Sequence, residues 1–136
     1  MAYGLSLIAI LLTANSFSQG TRLWATYYGG ASSEPGYHIA TDALNNVFLA
    51  GYTASASGMA SGGFQNTYVG GNDAFLVKFD SGGNRLWATY YGGTDWDKAW
   101  SVATDAASNV YLAGKTSNVS GIASGGYQNT LSGTWD

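Results

Sequence analysis

An all-β fold, built from four-stranded antiparallel sheets stacked face to face, is predicted by three observations. The nonapeptide RLWATYYGG stands at residues 22–30 and returns unchanged at 85–93. Aromatic residues make up 15% of the 136-residue chain, beside twenty glycines and a single proline, Pro35, the balance expected of many short strands joined by tight turns. The strand-like runs, among them VFLAG and AFLV, are apolar on both faces. Strands of that kind belong in a sheet covered on both sides.

The repeat extends well beyond the nonapeptide. Shifting the chain by 63 positions aligns ATDA at 40–43 with 103–106, NVFLAGYT at 46–53 with NVYLAGKT at 109–116, and SGMASGGFQNT at 57–67 with SGIASGGYQNT at 120–130. Asp73 aligns with Asp136. A fixed period of this length marks units that bury their faces only against one another. One period holds four strands: GYHIATD over 36–42, NVFLAGYT over 46–53, DAFLVKFD over 73–80 and RLWATYYG over 85–92. Such sheets, each sandwiched by its neighbours, give the radial arrangement of a β-propeller. Residues 36–92 make one complete blade, 21–28 the outer strand of a preceding or closing blade, and 99–136 an incomplete blade, within a partial propeller over 20–136.

Turn chemistry supports this division. Asp42 and Asn46, Asp80 and Asn84, and Asp105 and Asn109 each place Asp, three spacers and Asn directly before a strand. The carboxylate accepts from backbone N–H groups two residues on, and the Asn is expected to take the left-handed conformation of a tight hairpin. Two oxygens per turn fall short of the six to eight that calcium takes, so these are structural turns. Between the second and third strands lies a Gly- and Ser-rich stretch, 54–72, of which Phe64, Tyr68 and Val69 suggest that part packs.

The motifs DAFLVKFDSGGNRLWATYYGG, IATD or VATD, and NVFLAGYT or NVYLAGKT resemble the bacterial β-propeller repeats called SBBP, over nearly everything after Gln19. The resemblance implies a propeller blade, commonly within an exported or cell-surface multidomain protein, and no settled catalytic activity.

Five basic against eight acidic side chains give a formal net charge of −3 with no basic run. The phosphate-neutralising footprint of nucleic-acid binding is absent. The apolar run GLSLIAILLTA over 4–14 is too short to span a bilayer and is followed by Ser16, Ser18 and Gln19. It is expected to be the h-region of a signal peptide over 1–19, cut near Ser18 or Gln19, although no Lys or Arg precedes it. The alternative is a buried strand or helix. The signal peptide places the protein outside the cell or on its surface. With no cysteine, the chain relies on burial rather than disulfides.

Alternating strand directions put the Asp–Asn turns on one rim. The other rim carries 54–72 and the crossovers 29–38 and 92–101, where the two copies diverge most. The second crossover gathers Asp95, Trp96, Asp97, Lys98 and Trp100. Flat rings beside carboxylates suit a pyranose or a cation, so Asp95, Trp96, Asp97 and Trp100 are the candidate ligand-binding residues. The competing reading is a turn whose tryptophans pack on the next blade. No catalytic residues, cofactor or metal are expected: His38 is alone, and no nucleophile elbow, zinc or phosphate-loop motif occurs. Asn118-Val119-Ser120 fits a glycosylation acceptor. The expected function is an exported propeller segment for adhesion or ligand binding, to a glycan or another protein. The alternatives are a structural spacer, or a non-catalytic part of a glycan-active enzyme. Partners are the further repeats of a longer protein, and the segment alone, with open sheet edges that invite pairing, is expected to be either oligomeric or poorly stable.

Overall fold

The computed structural model describes residues 6–11 and 22–134. It contains strands and turns, with no helix among the described residues: β1 (Ser6–Leu11), β2 (Arg22–Tyr28), β3 (Gly36–Thr41), β4 (Val47–Thr53), β5 (Asp73–Phe79), β6 (Arg85–Tyr91), β7 (Asp97–Thr104) and β8 (Val110–Thr116). β3, β4, β5 and β6 lie side by side in sequence order as one antiparallel sheet, the central blade. β1–β2 and β7–β8 are antiparallel ladders of two strands.

The middle strands of the blade explain why it is stable only when sandwiched. Side chains alternate between sheet faces along a strand. Val47 and Leu49 of β4, with Phe75, Val77 and Phe79 of β5, form one face, over which lie Tyr28 of β2 and Met59. Phe48 and Ala50, with Ala74 and Leu76, form the other, which meets Ala99 and Val102 of β7. Phe48, Phe75 and Val77 have no solvent exposure. Rings cross the joint with β2, Trp24 packing 6.0 Å from Phe79 and Tyr28 5.5 Å from Phe75, while within the blade Trp87 lies 6.2 Å from Phe48. The two tryptophans that share a repeat position are thus packing residues.

The three Asp–Asn turns are near-copies. In each, one carboxylate oxygen accepts two backbone N–H groups at 2.9 Å: Leu44 and Asn46 on Asp42, Gly82 and Asn84 on Asp80, Ala107 and Asn109 on Asp105. The Asn amide donates to the second oxygen at 2.8–2.9 Å. These bonds hold all three carboxyls below their usual range, the Asn side chain contributing most. The left-handed residue differs from expectation. It is the one before the Asn, namely Asn45 (φ 61°), Gly83 (φ 85°) and Ser108 (φ 62°). The Asn itself is a donor, and its amide ties the turn shut.

Residues 54–72 fold back along the outer edge of β6. Ser61 and Ala88 exchange backbone hydrogen bonds at 2.9 and 3.0 Å, and the Tyr90 N–H donates to Gln65 O at 2.9 Å. This covers donors and acceptors that an edge strand otherwise presents to other chains. Met59, Ser55 and Tyr68 supply the packing. Phe64 does not: it is 86% exposed, and Val69 is also exposed. The Phe64 ring lies 6.4 Å from that of Tyr91 on β6.

The apolar run read as a leader contributes β1, which pairs with β2. The cleavage positions Ser18 and Gln19, and Asp136, lie outside the described residues.

If both faces are core, Phe48→Ala and Phe75→Ala should each cost about 3–5 kcal/mol in urea unfolding. A sheet with one solvated face would show that loss for one of the two variants only.

Candidate ligand-binding site

A β-bulge at the same repeat position shapes the most chemically distinctive surface. In the β3–β4 ladder the register shifts between Gly36 and His38, and in β7–β8 between Ala99 and Ser101. The extra residues are Tyr37 and Trp100, 63 positions apart. A bulge bends the strand and re-aims a side chain. Here both rings leave the ladder and meet across the joint between blades, 4.7 Å apart at 41°.

Further groups extend the pair into a stripe. Tyr52 lies 5.7 Å from Tyr37. Lys98 Nζ sits 4.3 Å from the Tyr52 ring centroid and 5.0 Å from that of Trp96. Lys115 Nζ lies 5.8 Å over Trp100. Trp96 and Trp100 keep 49% and 42% of their surface exposed. Burial, followed by the Tyr52 hydroxyl, raises the Tyr37 phenol above its ordinary pKa. The result is a row of half-exposed rings interleaved with two ammonium groups, each placed for cation–π contact.

Of the four predicted ligand residues, Trp96 and Trp100 reach this stripe. Asp95 lies on the exposed crossover, its N–H donating to Asn118 Oδ1 at 3.1 Å. Asp97 turns inward and is 3% exposed. One of its oxygens accepts from the Gly93 N–H at 2.9 Å and the Asn118 amide at 2.7 Å. Glu34 does the same work one repeat earlier, accepting from the Gly30 N–H at 3.1 Å, the Thr53 hydroxyl at 3.1 Å and the Ser55 hydroxyl. These buried acids anchor the crossovers. The signal was present in the period, because Glu34 and Asp97 are 63 apart, but the surrounding letters differ. Asn118, whose Asn-Val-Ser sequence fits a glycosylation acceptor, is buried in the same anchor.

His38 joins the blades rather than standing in a reactive cluster: its Nδ1 lies 2.9 Å from Val102 O and 3.3 Å from Val102 N. Among the described residues no three His, Cys, Asp or Glu side chains gather to hold a metal. Two acids do meet. A Cβ built on Gly92 would fall 2.7 Å from Asp97 Oδ2 and 2.9 Å from Asp73 Oδ1, so both carboxylates close on a space that only glycine leaves. Asp73 is fully buried and its Oδ1 has no hydrogen-bond partner. Oδ2 accepts from the Val69 N–H at 3.1 Å. Burial, with a smaller push from Asp97, raises the Asp73 carboxyl to about 6.

Residues 23–58 match the family model for SBBP, the beta-propeller repeat. An uncharacterized WD repeat-containing protein of Acanthamoeba polyphaga mimivirus is 34% identical over 101 residues, which is 71% of this chain and 7% of that protein. The chain therefore spans a small part of its relative's length. Its antiparallel sheets, the repeated joints between them and the family match over 23–58 are those of β-propeller repeat blades, and the described residues form no closed ring.

The Asp73 carboxyl sets a pH dependence of known sign. Its folded pKa, about 6, exceeds the ordinary value of 3.8, so its contribution to stability is intact below pH 3.8 and is lost as pH rises through 6. Asp73→Asn, which keeps the shape and adds a donor beside Asp97, should remove this decline. Thermal melts from pH 4 to 7 check it, the variant gaining on the parent chain as pH rises.

Proposed function

We propose that this chain, a segment of SBBP-type β-propeller repeats, is a non-catalytic recognition module that binds a glycan along the Tyr37–Trp96–Trp100 stripe. The observation that carries the reading is the paired bulge. It turns aromatic side chains out of two neighbouring blades onto one surface, where half their area stays open. Ring faces cover the C–H face of a sugar, and the Lys98 and Lys115 ammonium groups donate to hydroxyl or carboxylate oxygens. With Asp97 withdrawn into the crossover, the charged groups set over the rings are the ammonium groups of Lys98 and Lys115, which favours an acidic sugar over a neutral one.

Display outside a cell belongs to the same proposal. Its support is the apolar run over 4–14 with Ser16, Ser18 and Gln19 behind it. The spacer reading has its own support: Tyr37 and Trp100 spend part of their surface on each other, and the crossover acids serve the fold.

A glycan array separates these readings. Binding to a uronate- or sialate-bearing glycan is expected, weakened about tenfold or more by Trp96→Ala and by Trp100→Ala, the loss of one well-placed ring contact. Unchanged melting temperatures would show that the blades survive. A chain that holds no glycan on the array leaves the spacer reading.

A further inference from the structure

β7 and β8 set Lys98 directly opposite Lys115 in their antiparallel ladder. Side chains opposite one another on such a pair emerge on one face with Cβ atoms about 5 Å apart, and like charges so placed oppose folding. The first repeat avoids the arrangement. At the positions 63 residues earlier the chain has Pro35 and Tyr52, neither of them charged, and Ser33 in place of Trp96. Of the three lysines in the chain, Lys78 is met by Asp42 at 3.6 Å. The other two share one cross-strand position, in the repeat that also carries Trp96. Folding gives no reason for that placement.

Both ammonium groups rest on rings. Lys98 Nζ lies 4.3 Å from the Tyr52 centroid and 5.0 Å from that of Trp96, and Lys115 Nζ lies 5.8 Å from that of Trp100. A ring occupies one side of an ammonium group and leaves N–H donors on its other sides. The acids of the crossover do not take those of Lys98. Asp97 is 3% exposed and is engaged by the Gly93 N–H and the Asn118 amide. Asp95 lies on the exposed crossover, and among the described residues no carboxylate reaches ion-pair distance of Lys98. Trp96, 49% exposed, adds an indole N–H, a donor with no accepting atom. The stripe is therefore flat where Tyr37 and Trp100 stack and rich in donors at its Lys98 end. A cluster of donors with two positive charges calls for a ligand group that only accepts.

We propose that Lys98 and Lys115 form an oxyanion subsite, which binds the sulfate ester or carboxylate of a sugar whose ring lies on the neighbouring tryptophans. The assignment deepens the glycan reading and rests on it for the rest of the ligand, while the anion contact itself needs only the lysine pair. An anion between the two ammonium groups relieves the repulsion that their register imposes. Lys98 is then the specificity-determining residue. It stands where the first repeat has Pro35, so this slot selects for acid in the second repeat and is neutral in the first. Asp95 works against the subsite from the crossover, at a range that salt screens.

An isotope-labelled chain, titrated with sodium sulfate in place of sodium chloride at constant ionic strength, reads the subsite through the Trp96 indole N–H resonance. A saturable shift is expected. Lys98→Met, which keeps the stem on the rings, should weaken binding about tenfold or more, and Lys115→Met should do the same. Lys98→Arg should retain it, and Asp95→Asn should bind at least as tightly as the parent chain, which also shows that substitution here leaves the blades folded. Glucose sulfate and glucuronate, titrated separately, tell a sulfate ester from a carboxylate. Lys98-dependent anion binding by a chain that holds no glycan on the array keeps the subsite and removes the glycan reading. Glycan binding indifferent to Lys98→Met keeps the rings and overturns the subsite. So does the lack of a saturable, Lys98-dependent shift with all three anions.

Discussion

The structure depends on one constraint: β4 and β5 have no solvent-facing side. Val47, Leu49, Phe75 and Val77 fill one face, and Phe48, Ala50, Ala74 and Leu76 the other. A sheet of that composition is insoluble as a unit and must be covered twice. β2 and the 54–72 segment cover it on one side, and β7–β8 on the other. The rest of the architecture follows from that demand. Repetition is the simplest answer to it, because the surface that needs a cover and the surface that provides one are then encoded by the same residues.

Polar groups that accompany this burial are arranged so that few are left unpaired. Glu34 and Asp97 gather the N–H and side-chain donors of their crossovers, and the three turn aspartates do so at the opposite rim. Lys78, which emerges beside the Phe48 ring, is met by Asp42 at 3.6 Å. The exception is Asp73, whose second oxygen lies buried without a donor and close to Asp97. A buried acceptor without a partner weakens the fold. It sits where β5 begins, close to Asp97 at the start of β7.

Much of this could be read from the letters, and the rest could not for definite reasons. Strand positions and their order followed from β-branched and aromatic runs, and the turns from Asp and Asn at fixed spacing. The left-handed turn position was missed because it is occupied by Asn45, Gly83 and Ser108, three residue types with no common local signature. Asp97 looked like a surface ligand because an acid beside tryptophans has the same spelling whether it faces solvent or a backbone N–H. The bulges were invisible, since register is a property of two strands and not of one. The apolar run near the N-terminus illustrates the same limit: SLIAIL suits a leader and a covered strand equally, and the pairing of β1 with β2 is known only from the structure.

Tyr37 and Trp100 occupy positions that the ladder has stepped around. A residue outside the ladder can be exchanged without disturbing the hydrogen bonds that hold the sheet. Each added repeat therefore carries one slot whose chemistry is decoupled from the fold. Duplicating the unit multiplies these slots, so that the surface chemistry of each repeat can change by single replacements while its framework is copied unaltered.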